Sequence, residues 1–381
     1  MTTECADSLK ECREMVRDFA RAEIAPHVRE WDEKAGCPFD VFLRLGGLGM
    51  MGILVPEEYG GVGLSYRHYA MILEELGAVE GGIGLSVAAH NSLCTNHVLT
   101  FGNENQRRTW LPRLAAGEVL GAWALTEPEA GSDSGATKTT AVRNDKGWVL
   151  NGTKNFITHA SVGEVAVIMA RTKPGSDHHG ISAFLVPLKT PGVSVGKHED
   201  KVGMRVSDTA SLIFEDCQVG ADALLGNEGD GFIQAMEILD GGRISIAAQA
   251  VGIAEAALEE AVKYAKERVQ FGKPLAEFEA LQFTLADMAV DVEVAKTMLY
   301  RVAWMKDSGA KKFTKESAMV KLFASEMSHR VCHKALQIHG GYGFIKDYKV
   351  ERLYRDQRIT EIYEGTSEIQ RLVIARSLLS D

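Results

Sequence analysis

The fold class is decided by one stretch near the C-terminus, Leu281-Gln-Phe-Thr-Leu285-Ala-Asp-Met288-Ala-Val-Asp-Val292-Glu-Val-Ala295-Lys-Thr-Met-Leu299-Tyr-Arg-Val302. Its apolar residues recur at alternating spacings of four and three, which predicts a long helix with one apolar face. The segment one helix earlier repeats this spacing, at Ile244, Ala247, Val251, Ala254, Leu258, Val262 and Ala265. A third helix is predicted from a cap at Thr314 to about Ile338. Narrow stripes of this length are typical of a helical bundle.

The chain before this bundle has two further parts. Between about Gly121 and Gly226, short β-rich runs alternate with turn residues and no helical pattern intervenes. This predicts an antiparallel sheet and not a series of alternating strands and helices. The first part has helical periodicity, broken by a loop rich in Gly and Pro at 56–63. We therefore predict an α+β chain, mostly α, with an N-terminal helical domain (1–117), a middle antiparallel β-domain (118–228) and a C-terminal helical bundle (229–381).

The composition restricts the class of function. Of the 381 residues, 45% are hydrophobic and 25% are charged, which is ordinary for a globular protein. The 42 Lys and Arg and 52 Asp and Glu give a formal net charge of −10, which argues against nucleic-acid binding. No run reaches the roughly 18 apolar residues of a membrane span, and the start of the chain lacks the basic and apolar regions of a signal peptide. We expect a cytoplasmic protein without stable membrane association.

The thiol and imidazole groups do not predict a metal site. His329 and His333 have a spacing that can bind zinc on a helix, but no third ligand accompanies them. The cysteines are far apart and form no CxxC pair, so we expect reduced, mostly structural thiols. They are Cys5, Cys12, Cys37, Cys94, Cys217 and Cys332.

Two segments of the middle part contain residues suited to ligand binding, each with a structural alternative. The loop Leu125–Ser134 is rich in small polar residues, which either bind the polar edge of a ligand or form an ordinary surface turn. The run Lys154–Thr158 is either a buried strand or places Phe156 and Thr158 against a flat ring. No GxGxxG motif follows a strand, which argues against a Rossmann nucleotide site.

Three segments of the C-terminal part also have both a structural and a functional interpretation. Arg268-Val-Gln-Phe-Gly272 is a good helix stop, and its Arg is equally suited to a phosphate. The run Gly340-Gly-Tyr-Gly343 has more glycines than a helix C-cap needs, which indicates a close approach to the backbone. Glu364 precedes Gly365 just before a helix that Thr366 or Ser367 caps, so it is either an exposed glutamate or a carboxylate aimed by the loop.

In this order, the segments resemble the acyl-CoA dehydrogenase family over essentially the whole chain. The matching motifs are Leu125-Thr-Glu-Pro-x-x-Gly-Ser-Asp, Asn155-Phe-Ile-Thr, Leu239-Asp-x-x-Arg243, Arg268-x-x-Phe-Gly272, Gln337-x-x-Gly340-Gly-Tyr-Gly343 and Tyr363-Glu-Gly-Thr366-Ser-Glu. The resemblance implies a helical domain, a middle β-domain and a C-terminal four-helix bundle, with FAD between the last two.

The resemblance also implies which residues contact FAD. Those expected at the flavin and its ribityl chain are Leu125, Thr126, Ser132, Phe156 and Thr158. Those expected at the adenosine-diphosphate part of a neighbouring subunit's FAD are Arg268, Phe271, Gln337, Gly340 and Gly341. Thr366 and Glu368 are expected to complete the site. Because the cofactor is shared between subunits, the implied assembly is a homotetramer, a dimer of dimers.

The substrate implied by the resemblance is an acyl-CoA thioester. Asp240 and Arg243 match the segment beside the acyl-CoA, which Ser132 and Gly365 also approach. By analogy the acyl pocket is lined by Tyr363 and by the segment 87–95, which includes His90 and Asn91. Such a polar lining favours a short, branched or cyclic acyl group. The alternative is that several of these side chains face away into the helical domain.

The implied reaction is α,β-dehydrogenation, as in fatty-acid β-oxidation. Glu364 would remove the α-proton, its backbone N–H would stabilise the developing enolate oxygen together with a ribityl hydroxyl, and the β-hydrogen would leave as hydride to flavin N5. Burial should raise the pKa of Glu364 toward working pH. One branch of the family carries its base on the long helix, at the position of Gly242 here, so that base is absent. Electrons would pass to an electron-transfer flavoprotein.

Three positions depart from the family pattern, and two other functions remain open. Phe156 stands where Trp is frequent, His159 where Asn is frequent, and Glu279 where a Gln near the adenine is frequent. The first rival is an acyl-CoA oxidase on the same scaffold that uses oxygen. The second is a non-catalytic acyl-CoA-binding relative, which predicts a lost base or a broken FAD motif.

Overall fold

The N-terminal part of the protein is helical, as predicted. The computed structural model describes residues 3–36, 38–310 and 312–380 of the chain. The α-helices of this part are α1 (Thr3–Phe19), α2 (Val28–Lys34), α3 (Phe39–Gly47), α4 (Tyr66–Val79), α5 (Gly81–Ala89), α6 (Asn96–Phe101) and α7 (Glu104–Ala115). A π-helical turn, His90–Thr95, joins α5 to α6. Asn103 and Gln106 bond to each other's backbone N–H and so fix the start of α7.

The middle part is a twisted sheet with one departure from the prediction. Its strands are β1 (Gly121–Ala124), β2 (Thr140–Asn144), β3 (Gly147–Thr158), β4 (Val165–Arg171), β5 (Ile181–Pro187), β6 (Val193–His198), β7 (Thr209–Val219) and β8 (Leu224–Leu225). The strand order is β6-β7-β3-β2-β4-β5-β8, with β1 beside β4. Most neighbours are antiparallel, but β1 and the end of β2 run parallel to β4. The long connection through the loop 125–139 and the β2–β3 hairpin lets the chain return in the same direction without a helix.

The C-terminal part is dominated by long helices. Its elements are α8 (Gly231–Glu267), β9 (Val269–Gln270), β10 (Lys273–Pro274), α9 (Glu279–Asp307), α10 (Thr314–His339), α11 (Lys349–Gln357) and α12 (Ser367–Leu379). α10 packs against α8, α9 and α12, and α8 also packs against α9, which gives a four-helix bundle. β9 and β10 form a short hairpin after α8.

Helix α8 is more deeply buried than its sequence stripe predicts. In α9 the buried side chains follow the predicted face, for example Met288, Val292 and Leu299. In α8, every residue from Ile238 to Ala254 is buried. The reason is that α8 packs against the bundle on one side and against α4 and α5 of the N-terminal part on another. A helix that is covered all round buries residues on every face.

Polar contacts connect the other parts to this centre. On α11, Arg355 binds Asp32 of α2 with an N–O distance of 2.7 Å. The neighbouring Asp356 accepts a hydrogen bond from the backbone N–H of Met204, in the segment between β6 and β7, at 2.5 Å. These bonds join all three parts of the chain at α11.

Neither a membrane helix nor a disulfide is found in the described part of the chain. Among the described residues, no helix combines the length and apolar character that a bilayer crossing requires. Cys12, Cys94, Cys217 and Cys332 are free thiols, the last three of them buried, as predicted. Cys37 and the side chain of Cys5 lie outside the described residues.

The contact between α8 and α4 gives a stability prediction at Gly252. A Cβ built on Gly252 would lie 2.1 Å from the backbone oxygen of Glu74, so Gly252→Ala forces two helices apart. We expect the free energy of unfolding to fall by about 2–3 kcal/mol, as for other overpacked cores. Gly47→Ala is the control, because Gly47 is also helical and a Cβ there meets nothing within 4 Å. Denaturant titration checks both variants, and equal stability of the two would contradict the prediction.

Candidate active site

A cavity of about 690 Å³ lies between the sheet and the C-terminal helices. The sequence-predicted residues on its walls are Leu125, Thr126, Ser132, Phe156, Thr158, Arg243, Tyr363, Glu364 and Gly365. They come from the loop after β1, the end of β3, α8 and the segment before α12. The fold therefore brings the two candidate segments of the middle part and the Glu364 loop to one place.

The loop after β1 is held on β3 by a buried ion pair. Lys154 is fully buried, and its Nζ donates to the carboxylate of Glu127 at 2.7 Å and to the backbone oxygen of Leu125 at 3.1 Å. The same carboxylate accepts hydrogen bonds from the backbone N–H groups of Lys138 and Thr139. These bonds fix both ends of the loop. Its cavity-facing residues are therefore set before any ligand enters.

A β-bulge turns Phe156 toward the cavity. Lys154 pairs with Leu212 and Ile157 pairs with Ala210, so three steps along β3 match two along β7. The extra residue re-aims the strand, and Phe156 has a positive φ of 58°. Its ring is 63% exposed, whereas Ile157 beside it is buried. An aromatic ring and the Thr158 hydroxyl therefore face the cavity together.

The backbone at Glu364 has an unusual conformation. Glu364 has a φ of 51° and Gly365 a φ of 95°, so two successive residues lie in the left-handed region. Such a conformation is costly for a glutamate and is found where the surroundings fix it. The following helix, α12, is capped by Thr366, whose side chain accepts a hydrogen bond from the N–H of Ile369 at 3.3 Å. The predicted position of Glu364 at a helix entrance is confirmed.

The carboxylate of Glu364 lies directly against α8. A Cβ built on Gly242 would lie 2.2 Å from Glu364 Oε2, so the carboxylate fills the space of a side chain at 242. Oε2 is buried and has no hydrogen-bond partner among the described residues. A buried acceptor without a partner is rare in folded proteins and indicates a site that a ligand completes.

The surroundings make Glu364 a weak acid. Burial, the largest effect, raises the pKa of Glu364 to about 7, and the positive charges of Lys321 and Arg243 oppose it. A carboxyl with a pKa near neutrality can take up a proton and release it at working pH. The arrangement is therefore suited to general-base chemistry in the cavity.

Arg243 and Asp240, both expected beside the substrate, have different positions. Arg243 lines the cavity, and its guanidinium donates to Asp240 Oδ1 at 2.6 Å. Asp240 also accepts a hydrogen bond from the Thr314 hydroxyl. Asp240 thus orients the Arg243 side chain without itself lining the cavity. Thr314 begins α10 as predicted but does not cap it, because Phe313 occupies the N-cap position and Thr314 is the first residue of the helix.

The structure does not support the prediction that His90 and Asn91 line the cavity. The His90 ring bonds to the backbone of Leu114 and Gly121. The Asn91 side chain bonds to the backbone of Ile53 and neighbouring residues, and both residues are buried. The wall instead consists of the apolar residues Leu85, Ala89 and Leu93. The i, i+4, i+8 spacing of these three residues was the signal in the sequence for an apolar wall. Because the wall is not polar, the argument from a polar lining for a branched or cyclic acyl group is lost.

The residues expected at a neighbouring subunit's FAD lie elsewhere. Arg268, Gly340 and Gly341 line a separate concavity of about 500 Å³ at the end of α8 and α10. Phe271, with 94% of its surface exposed, stands at the tip of the β9–β10 hairpin, and Gln337 is exposed on α10. These five residues are thus close in space but outside the main cavity. That placement is compatible with a role toward another copy of the chain.

Of the two residues expected to complete the site, neither projects into the cavity wall. Thr366 uses its hydroxyl to cap α12, and Glu368 is exposed on the first turn of that helix. The sequence reasoning missed the face of α12 that does line the cavity. Its residues are Ile369, Leu372, Val373 and Arg376, whose i, i+3, i+4, i+7 spacing marks one helical face.

The rim of the cavity is also built from residues that the sequence reasoning missed. Arg171 donates to four backbone oxygens, those of Gly135, Thr137, Ser176 and Asp177, at 2.8–3.0 Å. This guanidinium joins the loop after β1 to the loop between β4 and β5. His178 lies on the second loop and lines the cavity with Asp177.

Comparison with known proteins gives matches along the whole chain. Family models described as acyl-CoA dehydrogenase N-terminal, middle and C-terminal domains match residues 6–118, 122–217 and 229–379. Probable acyl-CoA dehydrogenase YngJ of Bacillus subtilis is 50% identical over 380 residues, which is 100% of both chains.

Two solved structures are also similar. Butyryl-CoA dehydrogenase from Megasphaera elsdenii has a TM-score of 0.96 and 43% identity, with 98% of each chain covered. A chain of the structure described as "Electron transferring flavoprotein of Acidaminococcus fermentans: Towards a mechanism of flavin-based electron bifurcation" has a TM-score of 0.97 and 45% identity. That match covers 100% of this chain and 99% of the other.

The Lys154–Glu127 pair gives a prediction for the loop after β1. Lys154→Met keeps the length of the side chain but leaves the Glu127 charge buried without its partner. We expect the free energy of unfolding to fall by about 3 kcal/mol, as when one partner of a buried pair is removed, and the purified protein to retain less FAD. Flavin absorbance per protein and denaturant titration measure both effects.

The matched control is Lys138→Met. Lys138 pairs with Glu129 on the surface of the same loop, and both side chains are mostly exposed. Exposed pairs contribute little, so this variant should keep its FAD and its stability. Equal FAD content in the two variants would show that the buried pair does not hold the loop.

Proposed function

The chain belongs to the acyl-CoA dehydrogenase family, and we propose that it converts a short acyl-CoA to the 2-enoyl-CoA with Glu364 as the base. It is an FAD-dependent oxidoreductase of that family. The observation that carries the proposal is Glu364 on the cavity wall: burial raises the pKa of its carboxyl to about 7, and Oε2 lacks a hydrogen-bond partner among the described residues.

The residues around the cavity fit FAD. Phe156 presents an exposed ring beside the Thr158 hydroxyl, which suits a flat heteroaromatic system with polar edges. The loop residues Thr126 and Ser132 supply hydroxyls on the adjacent wall. Phe156 in place of the more frequent Trp still covers a ring, with a smaller surface. When bound, FAD supplies the acceptor for the electron pair and hydrogen that leave the β-carbon.

The protein's own groups account for the proton chemistry. The α-hydrogen of a thioester is weakly acidic, so its removal needs a base and a donor for the developing enolate oxygen. The Glu364 carboxylate takes the proton, and the backbone N–H of the same residue donates to the thioester oxygen. Because the apolar wall of Leu85, Ala89 and Leu93 excludes water, the electrostatic contribution of that N–H is larger than in solvent.

The proposed preference for a short acyl chain rests on Tyr363 and Gln249. Tyr363 lines the cavity beside Glu364, and its hydroxyl donates to Gln249 Oε1 at 2.6 Å. Gln249 is buried on α8 and also donates to the backbone oxygen of Gly81. A Cβ added at Gly84 would lie 3.2 Å from Gln249 Nε2, so the amide is tightly enclosed. We infer that this pair closes the cavity behind Glu364, and the similar butyryl-CoA dehydrogenase supports a short substrate.

The proposed electron acceptor is an electron-transfer flavoprotein, and the proposed assembly is a homotetramer. The similarity to a chain in the Acidaminococcus structure supports the acceptor. The assembly is supported by apolar surface on the C-terminal part, where Phe271 and Phe344 are 94% and 87% exposed. Exposed apolar side chains of this size, next to the Arg268 concavity, are typical of a surface that another subunit covers.

Replacing the base tests the reaction. Glu364→Gln keeps the shape of the side chain but cannot accept the α-proton, so we expect the turnover rate to fall by about 10³-fold with FAD retained. The readout is anaerobic bleaching of the flavin absorbance by butyryl-CoA. Glu361→Gln is the control, because Glu361 lies on the same segment and pairs with Arg358. Full activity of Glu364→Gln would refute the base assignment.

Enlarging the cavity behind Glu364 tests the chain-length proposal. We expect kcat/KM to be highest with butyryl- or hexanoyl-CoA and much lower with palmitoyl-CoA. Gln249→Ala removes the enclosed amide, so the ratio of kcat/KM for octanoyl- over butyryl-CoA should rise about tenfold. Tyr363→Phe breaks the hydrogen bond but keeps the ring in place, so it should leave the ratio nearly unchanged. Fastest turnover of palmitoyl-CoA by the unaltered protein would disprove a short-chain preference.

A further inference from the structure

Lys321 is a buried cation that contacts the loop of the base. It lies on α10, in the C-terminal bundle, and its side chain is fully buried. Its Nζ donates to the backbone oxygen of Gly365 at 2.7 Å. A buried lysine is costly, because its ammonium loses the solvation of water. Its position next to Glu364 therefore needs an explanation beyond packing.

The loop that Lys321 contacts has a strained backbone and is held by two hydrogen-bond donors. Glu364 and Gly365 both have positive φ. Gln370, on the first turns of α12, donates to the backbone oxygens of Glu364 at 3.1 Å and Gly365 at 2.9 Å. The oxygen of Gly365 thus accepts from both an ammonium and an amide. These two donors fix the peptide planes on either side of Gly365 and so restrict the backbone directly after Glu364.

Charged side chains from several elements face Lys321. Those that face Lys321 are Glu364, Arg243 on α8, Glu361 before α12 and Glu368 on α12. Burial, the largest effect, lowers the pKa of Lys321 to about 8, and Glu364 opposes that shift. Lys321 is therefore still cationic at neutral pH, while the carboxyl of Glu364 titrates.

We propose that Lys321 is the positioning residue of the base: its ammonium holds the Gly365 carbonyl, and its charge keeps the Glu364 carboxylate ionised at working pH. This inference rests on the function proposed above, and it adds a residue that contacts neither FAD nor substrate. Arg243 also carries positive charge toward Glu364, but its guanidinium is bonded to Asp240 at 2.6 Å. Among the described residues Lys321 forms no ion pair with a carboxylate, and its ammonium bonds to a backbone oxygen, so its charge acts on Glu364 with less compensation.

The sign of the effect on Glu364 follows from electrostatics. A cation favours the ionised carboxylate, so its removal raises the pKa of Glu364 further above its present value of about 7. The base is then protonated over a wider range of pH. In the pH profile of kcat/KM, the acid limb should move to higher pH by about one unit. Loss of the carbonyl contact should also lower kcat by about tenfold or more, because the Glu364 peptide is less well oriented.

The experiment compares Lys321→Met with Lys321→Arg and Lys349→Met in the FAD-loaded enzyme. Lys321→Met should fold, because Gln370 still donates to the Gly365 oxygen. Lys321→Arg keeps the charge and should restore the acid limb to its original pH, even if kcat stays lower. Lys349 on α11 is the control: it is a half-buried lysine whose pKa burial also lowers to about 8. It lies in another cleft, and Lys349→Met should leave the acid limb unchanged.

A second readout does not depend on turnover. Hydrogen–deuterium exchange of the peptide that contains residues 363–369 should be faster in Lys321→Met and unchanged in Lys349→Met, because only the first loses a bond to this loop. An acid limb that stays in place in Lys321→Met, or moves equally in Lys349→Met, would overturn the proposal. This test can fail separately from the proposed function. Activity retained by Glu364→Gln refutes Glu364 as the base. An inactive Glu364→Gln, together with an unshifted acid limb in Lys321→Met, refutes only the role of Lys321.

Discussion

The absence of a side chain at position 242 is the constraint on which the site depends. The carboxylate of Glu364 occupies the space that a Cβ on Gly242 would enter, at 2.2 Å from Oε2. Only glycine lets α8 and the Glu364 loop approach so closely. That approach removes water from the carboxylate, and the loss of water is the main cause of its raised pKa. In this chain, a side chain at 242 and the carboxylate of Glu364 cannot occupy the same space.

Packing around α8 maintains the close approach of this helix to the Glu364 loop. Its central residues, from Ile238 to Ala254, are buried on every face, because the bundle covers one side and the N-terminal helices another. Gly252 lets α4 come within van der Waals distance nearly three turns further along the helix. A helix fixed on several sides cannot shift to relieve a local clash. The site is therefore built on a helix that its neighbours hold in place.

The sequence predicted the three-part layout and nine of the residues that line the cavity, because periodicity and ordered motifs are local properties. Prediction from the sequence failed where the burial of a residue depended on which other element packs against it. The stripe of α8 predicted one buried face, but packing from the N-terminal part buries them all. The polar residues His90 and Asn91 suggested a polar wall, but the backbone of the surrounding loops satisfies them. The parallel pairing of β1 with β4 is set by a long-range contact that no single strand encodes.

Two walls of the cavity have the same two features. Each wall has a residue with positive φ, Phe156 on β3 or Glu364 before α12, and in each wall a buried lysine amine donates to a backbone oxygen. For Lys154 that oxygen belongs to Leu125, and burial lowers the pKa of this lysine to about 8, as it does for Lys321. Two ammonium groups are thus kept out of water, at a cost in stability, directly behind the two walls. The cost is understandable if the walls must keep their shape without a ligand, because preorganised groups need no rearrangement when charge develops in the cavity.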